Sequence, residues 1–274
     1  MTDDLAYGAK LKIWRAKKHI NELWRAVERF MEDRPFRIMV KHRPDAYEYL
    51  IVTKRYKPIP DTWSLMIGDA VHNLWSALDL IVYAMASDKA PHPHELMFPF
   101  VREPESLVGK IKSTQVNFAG TNVVDYIHTL KPYRDGHKFL SGIYRLDTRD
   151  KHRLLILTGQ ILDFNQASLR AIIPGSPNVE FIKPGVTIRF PHPDEDEVQL
   201  FRGTADYSKL EMFRGRMIDH EEEPYIRLPY RIAFGEGQPF EGEPVVPTLN
   251  DCAYVIEGIV DRLVAAFRSP ANIR

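Results

Sequence analysis

The chain has 274 residues, 44% hydrophobic and 27% charged, which is enough apolar material for a sizeable core and excludes a disordered polyelectrolyte. Lys plus Arg and Asp plus Glu both number 37, so no global field draws the chain to nucleic acid or to an anionic membrane. Cys252 is the single cysteine, which excludes an internal disulfide and a cysteine-built metal centre.

From the N-terminus, MTDDLAYGAKLK lacks the apolar centre of a signal peptide, and no apolar run reaches the roughly 18 residues of a membrane span. A cytoplasmic protein is the expectation. Residues 9–33 then carry Ile13, Ala16, Ile20, Leu23, Trp24, Val27, Phe30 and Met31 at spacings of three and four, which predicts an amphipathic helix ending before Pro35. FRIMV and YEYLIVT flank Arg43-Pro44-Asp45 and predict a β-hairpin over 36–54. Between Lys10 and Lys57 fourteen basic residues face six acidic ones. Any phosphate contact is therefore expected there, through Lys10, Lys12, Arg15, Lys17 and Lys18 and the basic hairpin, with Arg153 as a further candidate.

Residues 61–86 predict a second long helix with Asp61 or Thr62 as N-cap. Ile67, Val71, Leu74, Leu78, Ile81, Val82 and Met85 fall on one face. Its polar face is unusual, because no Lys, Arg or Glu occurs between Asp61 and Lys89. Asp69, His72, Asn73, Ser76, Asp79 and Tyr83 lie within an arc of about 120°. Short polar groups on a long helix predict a covered face in which each group finds a hydrogen-bond partner. The first expectation is a buried structural network. The second is the floor of an acid–base site with His72 as proton carrier, oriented by Asp69 or Asp79. Metal binding is a third reading, although the spacing matches no standard ligand motif.

Beyond a proline-rich loop over 90–104, shorter helices are expected near 104–116, 121–130 and 137–151, with a break at Lys131-Pro132. A charged constellation, Arg145, Asp147 and Arg149 followed by Asp150-Lys151-His152-Arg153, closes the last of these. Its cations suit a helix C-terminus, and the alternative is that Asp150 with His152 or Arg153 turns inward to meet Asp69, His72, Asn73 and Asp79. Pro91-His92-Pro93-His94-Glu95 offers two histidines at spacing two, a pattern that proline loops also produce. No metal and no cofactor is assigned.

Past Arg153 the runs LLILTGQI, SLRAII, VEFI, VTIRF, VQLF and YIRLPYRIAF, separated by turn residues, predict an antiparallel β region. A final amphipathic helix is expected over 248–268. The predicted fold class is α+β: a mainly helical region over 1–152 with the hairpin 36–54, a β region over 153–247, and a C-terminal helix from 248 that returns to the helices.

The segments IGDAVHNLWSALDLIVY, FPF at 98–100, LKPY at 130–133, DKHRLL at 150–155, and the closing Phe234-Gly235 and Gly242-Glu243-Pro244-Val245 resemble a widespread group of bacterial proteins of uncharacterised activity. In many of these the helix reads HNLRSALDH, whose Arg–His spacing resembles that of HEPN-type RNA-processing domains. The resemblance implies a helical, often dimeric protein, and as one function a degenerate RNA-processing activity. Trp75 and Leu80 stand here at the Arg and His positions. The functional expectation is a cytosolic binding or assembly protein, with a homodimer as the expected partner. Its alternative is an acid–base enzyme using Asp69, His72, Asn73, Asp79, Asp150 and His152.

Overall fold

A computed structural model describes residues 4–43, 48–152, 155, 157–164, 186–189, 197–204 and 230–269. Among these residues are six α-helices and six strands: α1 (Tyr7–Glu32), β1 (Phe36–Arg43), β2 (Glu48–Arg55), α2 (Thr62–Ala86), α3 (Leu107–Ser113), α4 (Thr121–Leu130), α5 (Lys138–Asp150), β3 (Leu157–Phe164), β4 (Val186–Arg189), β5 (Glu197–Thr204), β6 (Tyr230–Phe234) and α6 (Val245–Arg268). The fold class is α+β. The chain divides into two compact units, one of residues 1–26, 61–156 and 234–274, the other of residues 27–60 and 157–233.

In the first unit the apolar stripes do what their spacing requires. Ile67, Val71, Leu74, Leu78, Ile81 and Val82 of α2 are fully buried, as are Leu249, Cys252, Ile256 and Leu263 of α6. Fully burying a Leu, Ile or Val side chain stabilises the fold by about 1.5–3 kcal/mol. Helix α1 contributes Ala9, Ile13, Ala16, Ile20 and Leu23 to the core, and Lys17 Nζ meets Glu257 Oε2 of α6 at 2.8 Å. Trp24, expected in the α1 stripe, is exposed instead.

Helix ends follow local chemistry in two places and depart from it in one. Lys131 takes φ +50° after α4, ahead of Pro132, so the predicted break is real. His137 caps α5, its Nδ1 accepting from Leu140 N–H at 3.4 Å, and burial lowers the pKa of this ring below the usual histidine value. Asp61 precedes α2, but its backbone is already helical and its side chain caps nothing. The predicted cap role of Asp61 is therefore corrected.

In the second unit β1 and β2 pair antiparallel from Phe36 opposite Arg55 to Arg43 opposite Glu48. The hairpin does not stand within the helical region. It continues into β5, giving the sheet order β1-β2-β5, with a register shift at Ile51/Val52. A lone two-stranded hairpin is marginal in water, and a third strand is the usual remedy. A second sheet has the order β4-β3-β6. Helix α6 begins at Val245, three residues before the expected start.

Candidate functional site

The first unit gathers the segments singled out in the sequence around α2. Trp75 is buried and meets Phe98, Phe100 and Tyr144 edge-on at ring-centroid distances of 5.8, 6.0 and 5.0 Å, while Phe100 stacks on Tyr144 at 4.1 Å. The FPF and LKPY segments touch where Val101 N–H donates to Pro132 O at 3.1 Å. Phe98 N–H donates to Asp79 Oδ1 at 2.8 Å, and Ser64 Oγ–H donates to Leu155 O at 2.7 Å. The aromatic cluster positions α5 on α2 and thereby sets the polar geometry.

At the centre is a histidine–aspartate pair. His72 Nδ1 lies 3.0 Å from Asp147 Oδ1, and Lys151 Nζ donates to Asp147 Oδ2 at 2.7 Å. The Asp147 side chain is 5% exposed, whereas the His72 side chain is 56% exposed. Asp147 therefore orients the ring from below and leaves Nε2 facing outward, where Ser76 Oγ makes a long contact at 3.5 Å. A deeply placed carboxylate holding one ring nitrogen is an arrangement that suits proton transfer at the other.

Two further carboxylates flank the pair. Asp79 has its pKa raised, first by burial and then by the Asp147 charge, against the lowering effect of the Phe98 N–H. Asp150 is raised by burial and then by the charges of Asp147 and Asp69. Asp150 reaches α2 because position 68 is glycine: a Cβ there would run into the Asp150 carboxyl. Asn73 Nδ2 donates to Asp69 O, one turn back on its own helix, at 2.7 Å.

These placements correct the expectation of a covered face. Asp69 and His72 are exposed, and Asn73, Ser76 and Asp79 are half-buried. Helix α5 and the Phe98 segment both meet the His72 and Asp79 side of the polar arc. Asp150 does turn toward α2, as the inward alternative required, but the partner of His72 is Asp147, one turn earlier. His152 lies in the exposed turn after α5, with its backbone N–H on Arg149 O at 3.0 Å. Arg153 lies outside the described residues. The sequence places Asp147 in the charged constellation at the end of α5, without marking it as the partner of His72.

The basic face of α1 is largely occupied. Lys17 pairs with Glu257, Lys10 with Asp4 at 3.5 Å, and Lys18 lies over the Trp14 ring at 5.8 Å. In the 91–95 loop, Gln115 donates to His92 O and Glu95 Oε2 and accepts from His92 N–H, at 3.0, 2.7 and 2.9 Å. That loop is pinned by an amide, and no cluster of three metal-ligating side chains occurs among the described residues. Helix α2 is the one described helix with the length and apolarity to cross a membrane, and 56% of its most apolar window is buried within the protein. Comparison of the chain with protein-family models, with curated proteins and with solved structures finds no match in any of the three.

Proposed function

We propose that this is a cytoplasmic binding and assembly protein that self-associates as a homodimer through the outer face of α2 and the adjoining face of α1. One observation carries the reading. The outward side of α2 combines exposed Leu65, Leu80 and Tyr83 with short polar residues, and the helix contains no Lys, Arg or Glu at all. Depletion of long charged side chains with enrichment in aromatic ones is the composition of interface cores rather than of solvated helix faces.

Helix α1 extends the patch. A Cβ added at Gly8 would touch Leu80, and Tyr7, Leu11 and Trp14, at i, i+4 and i+7, are all exposed. Six large residues at about half exposure present roughly 600 Å² per copy, close to the ~800 Å² per partner of a standard interface. The α2 half of this face carries no Lys, Arg or Glu, which limits like-charge repulsion across a two-fold axis. Light scattering on the purified chain is expected to give twice the 31.7 kDa chain mass at micromolar concentration. Leu80→Glu and Trp14→Glu are expected to return it to a single chain with an unchanged circular dichroism spectrum. A single-chain mass for the unmodified protein across the whole range overturns the proposal.

The His72–Asp147 pair supports a second reading, an acid–base enzyme working at the same face. The Arg and His of the HEPN-type spacing do not contribute, since Trp75 is buried among aromatic rings and Leu80 is apolar. Loss of turnover in His72→Ala, on a panel of RNA and ester substrates, with folding intact, is the result this reading expects. No turnover by the unmodified protein on that panel counts against it.

A further inference from the structure

Helix α5 has a second polar side, about 180° from Asp147 at 100° per residue, formed by Lys138, Ser141, Gly142 and Arg145. The chain after β6 folds over it. Phe240 adopts φ +61°, a left-handed conformation rare for an aromatic residue, and its ring lies where a Cβ on residue 142 would otherwise sit. The loop is held from both ends: Phe234 N–H donates to Glu243 O at 3.0 Å, Gly242 N–H to Phe234 O at 2.9 Å, and Arg149 Nη1 to Gly237 O at 3.4 Å. The wall facing α5 is therefore preformed.

Between this wall and α5 is a cleft of about 330 Å³ lined by Arg134, Asp135, Lys138, Arg145, Phe240 and Glu243, among others. That volume is at the lower end of the range for small-molecule sites. Its charges are unevenly used. Lys138 Nζ is taken by Glu243 Oε1 at 2.8 Å and lies near the Phe139 and Phe240 rings. The guanidinium groups of Arg134 and Arg145 have no ion pair or hydrogen bond among the described residues, and neither appears in any further interaction. Asp135 offsets one of these charges and leaves the cleft net positive.

We propose that this cleft binds a small metabolite through one anionic head group, phosphate or carboxylate, held by Arg134 and Arg145. A guanidinium presents its donors as a planar fork that matches both groups, so two of them on one concavity select a compact anion over an extended polyanion. The small volume and the aromatic wall leave room for little beyond the head group and a short carbon skeleton. This reading is independent of the dimer and of His72, which lie on other faces.

The test uses the full chain titrated with inorganic phosphate and, separately, with malonate, at ionic strength held constant with sodium chloride. Binding is followed by amide chemical shifts. The expected result is saturable binding of at least one anion below about 10 mM, with shifts centred on residues 134–145 and 235–243. Phosphate alone points to a phosphorylated ligand, malonate alone to a carboxylate. Arg134→Gln with Arg145→Gln is expected to weaken binding by at least about tenfold without moving the melting temperature, because both side chains are exposed. Asp135→Asn is expected to tighten it. Failure of both anions to saturate, or equal binding by the double variant, overturns the proposal.

Discussion

On one side of α5, Asp147 uses both carboxylate oxygens, Oδ1 toward His72 Nδ1 and Oδ2 as acceptor from Lys151 Nζ. On the other side, Arg134 and Arg145 face a cleft and engage no anion among the described residues. The two regions use similar residue types on opposite sides of one helix of thirteen residues, yet one is internally satisfied and the other has spare donors. What separates them is where the countercharge sits. Asp147 is buried and has to be partnered, while the guanidinium groups stay hydrated until a ligand replaces their water. Titratable residues alone do not mark a binding site; unspent hydrogen-bonding capacity beside a concave surface does.

The comparison breaks most easily at Asp147. Asp147→Ala is expected to cost about 1.5–3 kcal/mol, the range for losing hydrogen bonds to charged groups, read from urea or thermal unfolding. A loss below about 0.5 kcal/mol, the ordinary size of a surface change, means the pair is not structural. Next in size is Gly68→Ala, expected to cost about 1–3 kcal/mol through overpacking against the Asp150 carboxyl. Asp150→Gly in the same chain is expected to restore much of that loss, and its failure to do so removes the close approach as the cause.

His72→Ala tests the same site from the exposed side. With more than half of the ring in solvent, its removal is expected to cost only about 0.5–1 kcal/mol, near the low end for one hydrogen bond. A loss matching that of Asp147→Ala makes His72 part of the structural network, and unchanged stability with lost turnover makes it a proton carrier.

Smaller again is the effect of charge at Asp150. Its folded pKa is raised above the ordinary 3.8 by burial and by Asp147 and Asp69, so the folded state favours the protonated acid. The stability this supplies is fully present below the unfolded value and is lost as pH rises through the folded one. Asp150→Asn has no such loss. Its melting temperature relative to the unmodified protein is therefore expected to rise between pH 4 and pH 7, and a flat difference removes the repulsion argument. Smallest of all is Arg145→Gln, expected within about 0.5 kcal/mol of the unmodified protein because that guanidinium is exposed and has no partner among the described residues.

Much of the helical framework was legible because helix formation repeats every 3.6 residues and the apolar stripes of α1, α2 and α6 keep that period. The hairpin and the Lys131-Pro132 break were legible for the same reason, since turn chemistry and the restriction before proline act within a few residues. The candidate site was legible by half. The missing long charges of α2 drew attention to Asp69, His72, Asn73 and Asp79, and Asp150 does approach that helix. Asp147 as partner of His72 was not legible, nor was the exposure of Asp69 and His72. Both depend on the rotation at which α5 settles against α2, which Trp75, Phe98, Phe100 and Tyr144 fix.

The Arg134 and Arg145 cleft lies wholly on the far side of that division. Its wall needs Phe240 in a left-handed backbone conformation and a glycine at 142 to receive the ring, residues separated by nearly a hundred positions. The union of the hairpin with β5 is of the same kind, pairing Glu48 with Thr204. Local periodicity sets which segments become helices or strands, because its causes lie within a turn or two of chain. The partner of a buried carboxylate and the shape of a cleft are settled only when distant segments pack, because burial decides which charges must pair and which can stay in water.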